Sequence, residues 1–100
     1  MVKLVALFKK PPDTVSFEEH YENIHIPLIR KTPGMKRLEI SKVTGAPMTS
    51  PQYYRVAEMY FENQKEMNAA MMSPEGIAAA KDLLSFAKDF VQMFFADIEE

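Results

Sequence analysis

Residues 16–34, SFEEHYENIHIPLIRKTPG, carry the clearest structural signals in this 100-residue chain. Ser16 followed three residues later by Glu19 is a capping box, so the sequence predicts a helix that begins at Ser16. Pro33–Gly34 is a stop signal, and it ends the predicted helix before residue 33. The helix carries one apolar stripe with helical spacing, formed by Phe17, Tyr21, Ile24 and Leu28.

Pro27 interrupts this predicted helix. A proline in a helix interior cannot donate to the carbonyl four residues back, here Asn23, and its ring clashes with that turn at a cost of about 3 kcal/mol. Irregular turns, including π-bulges, are frequent at functional sites. The sequence therefore predicts an opened turn beside His25, which makes His25 a candidate functional residue. The alternative is a proline that only bends the helix around a sheet.

The rest of the chain reads as strands and two further helical pieces. Strands are predicted at residues 2–9, 35–43, 52–62 and 90–98. Asn63 and Glu66 form a second capping box, which opens a short helix through residue 72. Ser73 before Pro74 then starts another helix. Its buried stripe is predicted to consist of Ile77, Ala80, Leu84 and Ala87.

The order of elements is β-α-β-β-α-β, with the second helix in two pieces. This order predicts an α+β, ferredoxin-like fold for a single domain over residues 1–100, with helices on one face of a four-stranded antiparallel sheet. The other face carries Val5, Leu7 and Phe94. Because large open apolar patches usually mark interfaces, we expect two sheets to pair into a dimeric α/β barrel.

Composition excludes several classes of function. The chain has no cysteine, so thiol catalysis and cysteine metal sites are excluded, and three glycines do not make a phosphate-binding loop. The net charge of −2 provides no general attraction to nucleic acid. The strand YYRVAEMYFEN lacks the basic, glycine-containing signature of RNA-recognition modules, so no nucleic-acid partner is expected. The apolar run at the N-terminus is too short for a membrane span or a signal peptide, which predicts a cytoplasmic protein without membrane contacts.

The two histidines are the candidates for chemistry. His20 and His25 are five residues apart, and on a regular helix they point about 140° apart, so no metal site is predicted from them. No serine has a visible base beside it. Any chemistry is therefore expected to be acid–base work by a histidine or tyrosine in an apolar cavity. For His20 a boundary position, paired with a nearby glutamate, is the favoured interpretation.

A resemblance to a known family covers nearly the whole chain. It is carried by Lys3, Phe17, Tyr21, His25-x-Pro27-Leu28, Pro33–Gly34 and Ser73-Pro74-Glu75-Gly76. These residues resemble the EthD family of the dimeric α/β-barrel superfamily, although members often have a tryptophan where this chain has Tyr21. The resemblance implies a ferredoxin-like homodimer, no cofactor, and a small apolar ligand that is aromatic or polyketide-like. Relatives in the superfamily include cofactor-free monooxygenases, isomerases, cyclases and dehydratases.

The expected site is an apolar pocket between the first helix and the sheet. By the resemblance, His25 would move a proton, while Tyr21 or Tyr54 would position or hydrogen-bond an oxygen. Eight methionines are consistent with a pliable wall. The predicted ligand-binding residues are Leu28, Met59, Met67, Met71 and Phe86.

Three functions remain open at this point. The first is a cofactor-independent oxidoreductase of monooxygenase type, or a dehydratase or isomerase, in degradation or secondary metabolism. The second is a non-catalytic protein that binds a small molecule or assists an oxygenase system. The third is a ligand-sensing or oligomerisation module, which explains a dimer but not the irregular helix.

Overall fold

The computed structural model describes residues 1–99. Its elements, in chain order, are β1 (Val2–Phe8), α1 (Thr14–His20), a π-helical turn (Tyr21–His25), α2 (Ile26–Arg30), β2 (Arg37–Lys42), β3 (Arg55–Phe61), α3 (Gln64–Met72), α4 (Pro74–Ala87) and β4 (Val91–Asp97). The four strands form one sheet in the order β2-β3-β1-β4, and every neighbouring pair is antiparallel. The predicted ferredoxin-like fold is confirmed. No helix within residues 1–99 is long and apolar enough to cross a membrane.

The two faces of the sheet differ in what covers them. On β1, Leu4, Ala6 and Phe8 face the helices. Ala6 and Phe8 belong to the buried core with residues of the first and last helices, and Leu4 packs with residues of α3. Val5 and Leu7 alternate with them and face the opposite side. The predicted position of Val5 and Leu7 on the face away from the helices is confirmed, and the open face of β4 presents Phe94 opposite Val5.

The first helix begins earlier than predicted. α1 starts at Thr14, and its N-cap is Asp13, whose carboxylate accepts a hydrogen bond from the Ser16 N–H at 3.0 Å. The prediction that Ser16 is the N-cap was therefore wrong. Asp13 is an equally good cap, and starting the helix there adds a further backbone bond from Phe17 N–H to the Asp13 carbonyl at 3.1 Å.

The opened turn predicted beside Pro27 is present as a π-helical turn. The N–H of Ile26 bonds to the carbonyl of Tyr21, five residues back instead of four. Such a turn contains one residue more than an α-helical turn, so every side chain after it is rotated relative to the regular pattern. A proline in the next turn is accommodated because the regular ladder is already interrupted there.

This rotation changes which residues face the sheet. After Tyr21 the buried side chains are His25, Ile26 and Ile29. The predicted continuation of the stripe through Ile24 and Leu28 was wrong: Ile24 is 48% exposed, and Leu28 is only partly buried. The extra residue moves the inward position from 24 to 25 and from 28 to 29.

The junction of α3 and α4 follows the predicted caps. Asn63 accepts from the Glu66 N–H at 2.9 Å, and Ser73 Oγ accepts from the Gly76 N–H at 3.0 Å. The predicted inner face of α4 needs correction, because Ile77, Ala80 and Leu84 are exposed and only Ala87 of that stripe is buried. The side chains that α4 buries are those of Ala79, Leu83 and Ala87. Gly76 lies tightly against the end of α3, where a Cβ would lie 2.1 Å from the Ala70 carbonyl oxygen.

Candidate functional site

An apolar cavity of about 280 Å³ lies between the helices and the sheet. The π-helical turn and α2 form one wall, α3 and α4 a second, and the sheet forms the floor. The polar side chains that line the cavity are His25 and Thr32, and all the other lining residues are apolar or glycine. The floor residues are Leu4, Ala6, Phe8, Ala57, Met59, Phe61 and Met93; the apolar wall residues are Ile29, Ala70, Met71, Gly76, Ala79, Ala80, Leu83 and Leu84.

His25 is the central polar residue of this cavity. It is 3% exposed, and its Nδ1 lies 3.0 Å from Oδ2 of Asp82 on α4. Phe86 packs on its ring, with centroids 5.1 Å apart. The other ring nitrogen, Nε2, has no hydrogen-bond partner within residues 1–99. The π-helical turn is what aims this side chain inward.

Asp82 binds both histidines of the chain. Its Oδ1 and Oδ2 lie 2.8 and 3.0 Å from Nε2 of His20, whose side chain is partly exposed. A spacing of five residues places two side chains one turn apart in a π-helical turn, whereas it separates them in an α-helix. The expectation that the histidines diverge was therefore wrong. His20 is paired with an acid as predicted, but the acid is Asp82 on α4 and not a nearby glutamate.

Sequence reasoning missed Asp82. It lies three residues after Ala79 and one before Leu83, so it borders the buried stripe of α4. An acidic residue beside a buried stripe is a recognisable signal. Asp82 was not predicted because the predicted stripe of Ile77, Ala80, Leu84 and Ala87 places it on the solvent side of α4.

Burial lowers the pKa of His25 below its ordinary value of 6.5, and the hydrogen bond and charge of Asp82 oppose this only in part. His25 is therefore neutral at pH 7. A neutral ring carries one N–H, and Asp82 as acceptor places it on Nδ1. Nε2 then holds a free lone pair on a side chain that lines the cavity.

A second polar cluster surrounds Arg55 at one end of β3. Nη2 of Arg55 lies 2.6 Å from Glu18 Oε2 and 2.8 Å from Glu22 Oε1, and the guanidinium lies 5.2 Å from the centre of the Tyr21 ring. Tyr54 donates to Glu18 at 2.5 Å. Burial opposes ionisation of Glu18, yet the bonds from Arg55 and Tyr54 lower its pKa overall. This cluster ties the first helix to the sheet.

The predicted catalytic tyrosines lie outside the cavity lining. Tyr54 is bound to Glu18. Tyr21 is fully buried between Phe17 and Phe8, with centroids 5.2 Å from each, and burial raises its pKa to about 12. Its hydroxyl has no hydrogen-bond partner within residues 1–99. Tyr21 thus supports the wall behind His25 rather than facing the cavity.

Of the five predicted ligand-binding residues, the structure brings two to the cavity, Met59 and Met71. Leu28 is turned away by the π-helical turn, and Met67 is buried in the core beside Phe61. Phe86 lies behind His25, and it lines a separate groove with His20. Ile29 was not predicted, because the regular helical pattern turns it away from the stripe. Thr32 was not predicted either, since a threonine four residues after Leu28 gives no signal of a site. Across residues 1–99, no group of three or more His, Asp or Glu side chains is arranged to hold a metal ion.

The fold and the cavity define a class of protein: small α+β domains of ferredoxin-like topology, with an apolar cavity under the helices. Within that class, residues 9–89 match the family model described as the EthD domain. This chain belongs to the EthD family.

Three comparisons illustrate the relationship. An uncharacterized 11.0 kDa protein of the thcB-thcC intergenic region of Rhodococcus erythropolis is 36% identical over 99% of this chain and 96% of its own length. The crystal structure of an EthD family protein from Bacillus halodurans has a TM-score of 0.95, with 36% identity over 99% of both chains. SnoaB from Streptomyces nogalater, a cofactor-independent oxygenase, has a TM-score of 0.70, with 14% identity over 99% of this chain and 93% of SnoaB. Other proteins of this fold, at lower identity than the Bacillus protein, are described as dimeric.

Proposed function

We propose that this protein binds a small apolar compound in the cavity and that His25 acts on it as a general base, without a cofactor. The observation that carries the proposal is a buried histidine in the cavity wall whose Nδ1 is bound to a carboxylate. A base held by a third group in one tautomer and one orientation is the arrangement that proton abstraction requires.

Each partner of His25 has a distinct part in this chemistry. Asp82 keeps the Nδ1–H in place, so Nε2 is the atom that takes the proton. When the imidazolium forms, the carboxylate stabilises its positive charge. His20, on the other side of Asp82, continues the hydrogen-bonded network to the partly exposed surface.

The cavity wall limits the class of substrate. An apolar wall favours a compound with few polar groups, and an engineered cavity of about 150 Å³ already holds benzene. A cavity of about 280 Å³ therefore fits a compound with about two rings. A neutral imidazole abstracts a proton only from an activated position, so we expect an enolisable ketone or a phenolic aromatic compound.

This first step is compatible with several reactions. Removing a proton prepares an activated aromatic compound for reaction with oxygen, and it also begins an isomerisation or a dehydration. SnoaB shows that a protein of this fold performs oxygenation without a cofactor, although fold alone does not determine function. The proposal is a cofactor-independent oxidoreductase, lyase or isomerase.

One observation favours the alternative of a non-catalytic binding or accessory protein. His25 and Thr32 are the polar side chains of the lining, and neither predicted tyrosine is among its residues. A cavity with so few polar groups also suits simple sequestration of a hydrophobic compound.

Hydrogen–deuterium exchange separates these two functions. Indanone, an apolar ketone of two fused rings, is incubated with the protein in D₂O, and loss of its α-proton signal is followed by NMR. We expect the wild-type protein to accelerate exchange and His25→Gln to reduce the acceleration by about 100-fold or more while binding is retained. Glu19→Gln, a surface variant, is the control. Binding without accelerated exchange in the wild-type protein would support the non-catalytic alternative.

We also propose that the protein is a homodimer joined through the open face of the sheet. Phe94 on that face is 43% exposed; its partner Val5 is 4% exposed, and Leu7 beside them is partly buried. Next to them, Lys3 and Glu58 form an ion pair at 2.9 Å. An apolar area bordered by satisfied charges is typical of protein interfaces, and dimers occur among proteins of this fold.

A further inference from the structure

The apolar cavity beside His25 is open to the surface. Most of its lining residues are buried, but four of them are exposed, namely Met71, Ala80, Leu84 and Met93. The long side chains among these are between 39% and 58% exposed. A side chain that lines a cavity and also contacts solvent lies where the cavity meets the surface. These residues therefore border the mouth of the cavity.

The mouth lies at the edge of the sheet, between α4 and β4. Gly76, Ala80 and Leu84 follow one another at intervals of four residues, so they lie on one side of α4, and all of them line the cavity. Met93 pairs with Ala6 of β1, so it lies on the helix side of β4, which is an edge strand. Because α4 packs mainly on α2, α3 and the π-helical turn, a gap is left beside β4. Pairing of two copies through the open face of the sheet leaves this gap uncovered.

The residues that border the mouth are apolar, and they differ in size. Exposed apolar side chains that cluster on a protein surface mark ligand-binding grooves and interaction sites. Methionine side chains are flexible, so Met71 and Met93 can move aside for a ligand. Gly76 admits no larger side chain, because a Cβ would lie 2.1 Å from the Ala70 carbonyl oxygen. Ala80 is exposed, so a larger side chain there projects over the gap without disturbing the core.

We propose that the apolar ligand enters and leaves the cavity through this mouth and that Ala80 sets its width. The small side chain of Ala80 keeps the passage open, while the longer side chains of Met71, Leu84 and Met93 border it. Ala80 is then a specificity-determining residue, because it limits which compounds reach His25 without contacting the reacting atoms. This inference rests on the proposed function, since it assumes that the cavity binds an apolar compound.

The test is stopped-flow binding of naphthol, a phenol of two fused rings whose own fluorescence reports its transfer from water to an apolar site. The wild-type protein is compared with Ala80→Phe, which narrows the mouth. Ala78→Phe is the matched control, because Ala78 is an exposed residue of the same helix that does not line the cavity. Melting temperatures show whether both variants fold.

We expect Ala80→Phe to slow association and dissociation by about tenfold or more each, with a much smaller change in Kd, because an obstacle in the passage raises the barrier in both directions. Ala78→Phe should bind as the wild-type protein does. Unchanged rates in Ala80→Phe, or equal slowing in both variants, overturns the proposed entrance. So does a weaker Kd with unchanged association, which would show that the new ring occupies the ligand's place rather than its path. In all these cases binding to the wild-type protein still supports the cavity.

A second variant keeps the inference testable if Ala80→Phe does not fold or binds no naphthol. Leu84→Ala removes an exposed side chain from the border of the mouth, so association and dissociation should both become about threefold faster or more. Val15→Ala, an exposed apolar residue of α1 outside the cavity lining, is its control and should change neither rate. Unchanged or slower rates in Leu84→Ala overturn the entrance. If the wild-type protein binds no naphthol, the ligand cavity is overturned and this inference with it.

Discussion

At the scale of single residues, two opposing effects determine the ionisation of His25. Burial disfavours the charged ring, and Asp82 favours it through a hydrogen bond and its charge. Burial has the larger effect, so the pKa of the ring is lowered. This balance is useful for a base, because a neutral ring accepts a proton while the adjacent carboxylate stabilises the product.

The lowered pKa makes stability depend on pH. The unfolded chain binds a proton at His25 near the ordinary pKa of 6.5, whereas the folded chain binds it only at lower pH. The contribution of His25 to the free energy of unfolding is therefore complete above about pH 6.5. It decreases as the pH falls toward the folded-state pKa of His25. We expect denaturant titrations to show this decrease in the wild-type protein and in His20→Gln, but not in His25→Gln. An equal decrease in all three would contradict the burial of neutral His25.

Asp82→Asn should change the same pKa in a known direction. Because the carboxylate raises the pKa of His25, its replacement by a neutral amide should lower that pKa further. The measurement is an NMR titration of the His25 ring protons. Asp89→Asn, an exposed acid near the end of α4, is the control and should leave the titration unchanged. A pKa that rises in Asp82→Asn would show that Asp82 does not hold the ring.

At the scale of elements, the π-helical turn connects the sequence to the site. Its presence could be predicted, because Pro27 is incompatible with a regular turn at that point. Its consequence could not be predicted, because the regular pattern offered an equally apolar face through Ile24. Packing against the rest of the molecule selects one of the two faces. His25, Ile26 and Ile29 are buried, because the turn contains one residue more than an α-helical turn.

The junction between α3 and α4 depends on Gly76. A Cβ at this position would lie 2.1 Å from the Ala70 carbonyl oxygen and 3.0 Å from Cα of Met71. We expect Gly76→Ala to lower the free energy of unfolding by about 2 kcal/mol, because backbone atoms must move to make room. Denaturant unfolding measures this change. Gly45→Ala is the matched control, since a Cβ there has no atom within 4 Å; an equal loss in both variants would contradict the close contact.

At the scale of the whole molecule, the two faces of β4 provide a test of the dimer. Phe94 is on the open face of the sheet, and the next residue, Phe95, is on the helix side at 54% exposure. We expect Phe94→Glu to sediment as a monomer at micromolar concentration, because a charge in an apolar interface is costly. Phe95→Glu should remain a dimer. A wild-type monomer, or dissociation by both variants alike, would contradict pairing through the open face.

The sequence by itself determined the order of elements, the ferredoxin-like topology, the helix caps at Asn63 and Ser73, and the disturbed turn beside His25. These features depend on local signals, namely capping residues, proline, and the alternation of apolar side chains. Tertiary structure alone decided the partners of His25. Asp82 is 57 residues away, and it meets His25 because α4 packs beside the π-helical turn.

The same limit applies to Ile29, which the regular helical pattern turns away from the predicted stripe. The extra residue in the π-helical turn brings it to the cavity that holds His25. Local chemistry determines which elements form, because caps and turns act over a few residues. The rotation of packed helices about their axes is determined by contacts across the core, and this rotation decides which side chains face the cavity.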